Sequence, residues 1–168
     1  MKNVKDLKKL NTGMHLETLI NDTNQYYQEQ GMCLCYKKPT PICVLKKNGS
    51  QITNAFFEKK STTDYNGVYQ GKYFDFDAKS VKGDSFNVKK TIAIHQLSHL
   101  MEVKKHQGIA FILVEFIDHN RYFIIDIDDL LKNKSININD LDKQDQVHFT
   151  NKLMLDYLTT LKEKYAIK

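Results

Sequence analysis

The run Ile109-Ala110-Phe111-Ile112-Leu113-Val114-Glu115-Phe116 is almost unbroken by polar side chains. It is far short of the roughly 18–20 apolar residues that a membrane helix needs, and it reads as a strand of the buried type, covered on both faces. A strand of that kind needs layers above and below it. The chain offers them. After Gly13, Leu16, Leu19, Ile20, Thr23 and Tyr27 recur at three- and four-residue steps, as one face of an amphipathic helix, with Glu17, Asn21 and Asn24 beside it and Gly31 as a stop. Ala93, Leu97, Leu100 and Met101 mark a second helix from about Thr91 to Lys105, closed by Gly108, and a terminal helix is expected over Val147–Tyr165. An Asp118-His119-Asn120 turn leads from the buried strand into Tyr122–Ile125. Helix, strands, helix, buried strand and helix together predict one α/β sandwich, a single domain over residues 1–168 without internal repeat or linker.

Composition agrees with that reading and narrows it little further. The chain has 168 residues, 41% of them hydrophobic, with 7 glycines and 2 prolines, which excludes wholly disordered and collagen-like chains. Residues 1–12 are lysine-rich, without the apolar stretch of a signal peptide, and are expected to form a flexible basic arm; a cytoplasmic protein with no membrane partner is the expectation. Lys+Arg number 25 against 20 Asp+Glu, a net charge of +5, and Arg121 is the lone arginine. Lysine suits phosphate contacts and arginine suits reading guanine edges, so any nucleic acid is expected to be recognised by backbone and shape. Cys33, Cys35 and Cys43 contain no CxxC pair and read as free thiols, the first two on one face of a strand.

Shorter strands fill the space between the helices. Met32–Lys37 alternates and meets Pro39-Thr40-Pro41. Ile42–Leu45 and Ile52–Phe57 flank Lys46-Lys47-Asn48-Gly49, whose Asn-Gly is a hairpin signal. Asp64-Tyr65-Asn66-Gly67 reads as a turn-rich stretch, and Lys72–Lys79 as a third strand. In Tyr73-Phe74-Asp75-Phe76-Asp77-Ala78-Lys79, period-two geometry puts Phe74, Phe76 and Ala78 toward a core and Tyr73, Asp75, Asp77 and Lys79 on the other face. On a solvated edge strand such charges can serve solubility alone. Asp64, however, lies 13 positions before Asp77, across a segment able to fold back antiparallel and bring the two carboxylates to one point. Two carboxylates in a cleft make a hard-oxygen site suited to Mg²⁺ or Mn²⁺, and Lys79 can orient an attacking water and neutralise a phosphate.

The strings Lys37-Lys38-Pro39-Thr40-Pro41, Ser61-Thr62-Thr63-Asp64-Tyr65-Asn66-Gly67-Val68-Tyr69 and Gly71-Lys72-Tyr73-Phe74-Asp75-Phe76-Asp77-Ala78-Lys79 resemble the RecU-type Holliday-junction resolvases, members of the PD-(D/E)xK nuclease superfamily. Gly13-Met14-His15-Leu16-Glu17 with Asn21 and Asn24, and His95-Gln96 with His99-Leu100-Met101, extend the likeness to roughly residues 11–116. The Thr-Thr-Asp-Tyr-Asn-Gly block is far more specific than a bare D…DxK. The resemblance implies a restriction-endonuclease-like mixed central sheet flanked by helices, with residues 42–60 as a protruding β-hairpin stalk. It implies a homodimeric enzyme that resolves four-way DNA junctions by paired incisions, with the strand-exchange recombinase as a further partner. Asp64 and Asp77 match the family's metal ligands, the Ala78 carbonyl completes them, and Lys79 matches the catalytic lysine. Glu17 matches a supporting acid on the first helix, while Gln96 and Thr63 match positions near the scissile phosphate. The chain departs from the family in carrying Asp77 where glutamate is usual, and in a shorter stalk without arginine. Alternatives from the same likeness are a non-catalytic junction-binding protein that modulates the recombinase, and a nuclease of duplex ends or specific sites.

The remaining candidates have plainer readings. Lys37, Lys38, Lys46, Lys47, Lys59 and Lys60 fit a phosphate-tracking DNA surface, as does the 89–90 pair. His95 and His99 stand at i, i+4 without a third ligand nearby and read as ordinary helix histidines. Asp126, Asp128 and Asp129 read as capping acids of a short helix, and Tyr26-Tyr27 and Phe56-Phe57 as core aromatics.

Overall fold

The computed structural model describes residues 12–58 and 62–167. The expected basic arm, apart from Thr12, and Lys59 and Lys60 at the hairpin's end lie outside the described residues. Helix α1 (Thr12–Glu29) lays Leu16, Ile20 and Tyr27 into the core and ends at Gly31, whose φ of +63° only glycine adopts without strain. Strand β1 (Leu34–Lys37) follows, with Cys33 and Cys35 buried on one side as the alternation requires. Strands β2 (Ile42–Asn48) and β3 (Gln51–Phe57) form a separate two-stranded hairpin. Asn48 ends the first strand and pairs with Gln51, so the turn itself is Gly49-Ser50, one position beyond the Asn-Gly signal.

The central sheet runs β1-β4-β5-β7-β8-β10, with β4 (Tyr65–Tyr69), β5 (Lys72–Val81), β7 (Ile109–Phe116), β8 (Arg121–Asp126) and β10 (Gln146–Val147). Strands β5 and β7 are parallel and every other neighbour is antiparallel, a mixed sheet. The parallel pair needs a crossover, supplied by β6 (Ser85–Asn87), α2 (Val88–Thr91) and α3 (Ile94–Lys105). All eight residues of β7 are buried. Phe111 and Leu113 face one cluster with α1, Phe74, Phe76 and Tyr157; Ala110, Ile112 and Val114 face a second with Leu100, Phe123 and Leu130. Helix α4 (Ile127–Lys132) and strand β9 (Ser135–Asn137) complete the second layer. Asp126 caps α4 through the Asp128 amide at 2.8 Å, as read from the sequence.

Three expectations are corrected. The Asp64–Gly67 stretch is no turn: Tyr65 opens β4, and the chain reverses at Gln70-Gly71, both at positive φ. Gly67 serves a close approach, because a Cβ there would meet the Leu34 carbonyl and the Phe74 ring at under 3.0 Å. The terminal helix α5 is only Tyr157–Lys164. Its expected first half is taken up by β10 and a bridge between Phe149 and Leu155, with Leu153 at φ +61° and Asp156 as N-cap. Phe56 and Phe57 are not core: they are 51% and 74% exposed on a hairpin that has no layer against it among the described residues.

Gly67→Ala forces two backbones apart where neither can yield cheaply. We expect a loss of about 1–3 kcal/mol in urea unfolding, and an unchanged midpoint would show that β1 and β4 are not held this close.

Candidate active site

The pairing of β4 with β5 decides the geometry. Tyr65 lies opposite Phe76, so Asp64, just before β4, stands across from Asp77. Its Oδ2 accepts the Ala78 amide at 3.1 Å. A residue's N–H and C=O point to the same side of a strand, so the Ala78 carbonyl also faces the side on which β4 has ended. Asp77 is completely buried, because β5 is an inner strand and its neighbour on that face is Ile112. Lys79 Nζ, two residues on, lies 2.6 Å from Asp77 Oδ2, and among the described residues that oxygen has no hydrogen-bond donor besides this ion pair.

Helix α3 supplies the third wall. Gln96 Nε2 donates to Asp77 Oδ1 at 2.6 Å, while its Oε1 accepts the Ala93 amide at 3.2 Å. The helix start thereby fixes which end of the amide faces the carboxylate. Burial, and then the neighbouring Asp64 carboxylate, push the Asp77 carboxyl up to about 7, with Lys79 opposing them. One ammonium is therefore too little compensation for this pair of carboxylates.

That excess of negative charge, an Asp77 oxygen answered among the described residues by the Lys79 ion pair alone, and a strand carbonyl on the same side fit a small divalent cation held by one or two carboxylates and otherwise by water. Among the described residues no group of three or more His, Cys, Asp or Glu side chains could hold an ion by itself, so an ion here would need main-chain and solvent oxygens beside the two aspartates.

The other expected site residues are placed differently from one another. Glu17 Oε2 pairs with Lys37 Nζ at 2.6 Å, and both Glu17 and Asp64 raise the pKa of the buried Tyr65 hydroxyl between them, after burial itself. Thr63 is fully buried and its hydroxyl donates to Asp75. Lys38, expected on the DNA surface, instead turns inward, its ammonium 2.5 Å from Asp75 Oδ2 and 2.6 Å from Thr63 Oγ1. Lys46 and Lys47 are exposed on the hairpin. His99 sits at the edge of the core, its Nε2 2.9 Å from Asp75 Oδ2, and His95 is exposed.

Sequence reasoning put Asp75 on the right face but gave it no task; the signal was a second acid on a strand flanked by apolar residues. It also passed over Glu115, the one charge in the buried strand. A buried carboxylate demands donors, and Glu115 has Ser80 Oγ at 2.6 Å, Tyr122 OH at 3.2 Å and His15 Nδ1 at 3.3 Å.

Fold and site thus define an α/β protein with a two-carboxylate, one-lysine centre, built on one buried aspartate, where its mixed sheet loses a neighbouring strand. Comparison with known proteins gives the family. A model described as RecU, Recombination protein U, matches residues 11–163. The Holliday junction resolvase RecU of Geobacillus sp. (strain WCH70) is 40% identical over 126 residues, covering 72% of this chain and 63% of that protein. The Holliday junction resolvase RecU of Bacillus mycoides (strain KBAB4) is 40% identical over 121 residues, covering 69% and 60%. In Oceanobacillus iheyensis the protein of that name is 36% identical over 170 residues, 92% of this chain and 87% of that one. The matched region spans less than two thirds of the length of the first two relatives. Among solved structures, Hjc of Archaeoglobus fulgidus, a Holliday junction resolvase, gives a TM-score of 0.42 at 9% identity, covering 70% of this chain and 75% of that one. The chain belongs to the RecU family.

The raised Asp77 carboxyl has a consequence for stability. Its folded pKa of about 7 stands above its ordinary value of 3.8, so its stabilising contribution is complete below about pH 4 and is lost as pH rises through 7. In a chelator, Asp77→Asn is expected to melt above the wild type at pH 8 and to lose most of that advantage at pH 5, a swing on the order of a few kcal/mol. Thermal melts showing the same difference at both pH values would mean that Asp77 carries no such burden.

Proposed function

We propose that this protein is a divalent-metal-dependent endonuclease that resolves four-way DNA junctions. The observation that carries the reading is the convergence of Asp64, Asp77, Lys79 and Gln96 on one point in a RecU-family chain. Asp64 and Asp77, with the Ala78 carbonyl, are the residues that would hold Mg²⁺ or Mn²⁺. When bound, the ion supplies an acidified water and neutralises charge on a phosphodiester. Lys79 orients that water and offsets the negative charge gathering on the phosphate. Gln96 holds the Asp77 carboxylate in one orientation, leaving Lys79 free to swing from its ion pair toward a substrate.

Glu17 and Lys37 flank the site as a pair, with Lys37 available to a phosphate. Lys46 and Lys47 on the projecting hairpin, with Lys59 and Lys60, track the DNA backbone. A four-way junction has two strands of like polarity to cut, and an isologous dimer presents two sites to them. Leu34 and Tyr36, 55% and 56% exposed on one face of β1 with Val68 opposite Leu34, support a face that a second copy covers. Action on such junctions is in keeping with a cytoplasmic protein that has the strand-exchange recombinase as a fitting partner. Among the described residues no helix is long and apolar enough to cross a membrane.

Two experiments test this. Asp77→Asn should abolish cleavage of a synthetic four-way junction in Mg²⁺ or Mn²⁺ while leaving junction binding largely intact; wild-type rates would sink the assignment, and a wild type that binds but never cuts would favour a junction-binding role. Lys46→Ala with Lys47→Ala should weaken binding and reduce the salt slope by about one for each phosphate that the two lysines neutralise. An unchanged slope removes the hairpin from the DNA surface.

A further inference from the structure

The nuclease reading leaves a second buried acid on β5 without a task. Asp75 has no solvent-exposed surface, yet its carboxylate meets Lys38 Nζ at 2.5 Å, Tyr73 OH at 2.8 Å, His99 Nε2 at 2.9 Å and the hydroxyl of Thr63. A buried acid with this many partners is costly to build, and apolar residues of similar volume often fill such a place at no loss of stability. What an ionic cluster adds over an apolar one is a single defined arrangement of the elements that contribute to it.

Those elements are telling. Lys38 is the last residue before Pro39-Thr40-Pro41 carries the chain into β2, and Thr63 lies at the foot of the leg returning from β3. Both feet of the projecting hairpin therefore end on one carboxylate. Both also touch the catalytic aspartate: Thr63 is its chain neighbour, and the Lys38 amide donates to the Asp64 carbonyl at 2.8 Å. On the other side, Asp75 shares its strand face with Asp77, and α3 grips the two together through His99 and Gln96.

We propose that Asp75 is a positioning residue that clamps both feet of the hairpin to the catalytic strand, so that the hairpin's hold on DNA sets where Asp64 stands relative to Asp77 and Lys79. The clamp deepens the nuclease reading above and rests on it. With no exposed surface of its own, Asp75 acts through Thr63 and Lys38. Removing it should leave the hairpin able to hold a junction but let Asp64 drift, and a misplacement of about an ångström is worth up to about a hundredfold in rate.

The test compares wild type, Asp75→Asn, the paired variant Lys38→Met with Asp75→Asn, and Leu130→Ala, which opens a cavity under α4, a helix in the same layer that contributes no residue to the clamp. The paired variant removes both charges together and carries the test if Asp75→Asn alone does not fold. Junction affinity is measured in chelator, single-turnover cleavage with enzyme in excess and saturating Mn²⁺, and exchange of the Ala78 amide proton, which Asp64 holds, without DNA or metal. The Asp75 variants should keep affinity within about threefold, cut at least about tenfold more slowly and exchange the Ala78 proton faster. Leu130→Ala should melt lower yet cut at the wild-type rate. Cleavage by the Asp75 variants at the wild-type rate, a rate loss no larger than the affinity loss, or an equal rate loss in Leu130→Ala would each overturn the clamp. If the wild type cuts no DNA with any divalent ion, the nuclease reading fails separately. The clamp is then judged on the Ala78 proton, where faster exchange in the Asp75 variants supports it and unchanged exchange overturns it.

Discussion

Two aspartates without solvent-exposed surface on one face of one strand are the constraint around which the molecule is arranged. Strand β5 is interior because it pairs with β4 on one side and with the wholly buried β7 on the other. Its side chains at 74 and 76 enter an aromatic layer in which Phe76 stacks on Tyr65 and Phe111 at 4.9 and 4.8 Å. That layer fixes the pleat, and the pleat leaves positions 75 and 77 no choice of direction. The charges must be answered where they fall. Helix α3 answers both, since Gln96 and His99 are three residues apart and face the strand from successive turns.

The two answers differ in kind. Asp75 is surrounded by an ammonium, a phenol, a hydroxyl and an imidazole, and its negative charge is well compensated inside the protein. Asp77 has one ammonium and one amide against a neighbouring carboxylate, and its affinity for a proton rises accordingly. A strand with one well-paired and one under-compensated acid, two residues apart, sets a charge held by its partners beside one open to an ion or a proton. Satisfied polar clusters hold geometry; sites with excess charge bind ions or move protons.

This division was only partly legible in the sequence. The alternation Tyr73–Lys79, the buried run at 109–116 and the α1 face were readable because each is a local pattern with a period set by backbone geometry. The pairing of Asp64 with Asp77 was readable too, although the reversal sits at Gln70-Gly71 and not in the Asn-Gly beside Asp64. Dipeptide turn signals report only what a chain permits, and here Gly67 is needed for contact with β1 instead. What the sequence hid was the inward turn of Lys38 and Thr63. A lysine before two prolines looks like a surface cation, and only the long-range pairing of β1 with β4 reveals that Asp75 lies beneath it. The shortness of α5 was hidden for a related reason: Thr23 on α1 accepts a hydrogen bond from the Leu155 amide and Tyr27 donates one to Asp156, holding that segment extended up to its cap.

The aspartate at position 77, where the resembled family usually carries glutamate, fits this same frame. A shorter side chain keeps the carboxylate close to the β5 backbone, within the narrow space between Asp64, Lys79 and α3. Gln96 can reach it at 2.6 Å only because its own carbonyl is tied to the helix start, bringing the amide in from the side of Ala93. Position 77 and the α3 N-terminus are therefore coupled: lengthening the acid by one methylene would press it against an amide that cannot retreat without releasing the cap. What meets the shorter acid lies in the helix opposite it, and not in the D…DxK motif itself.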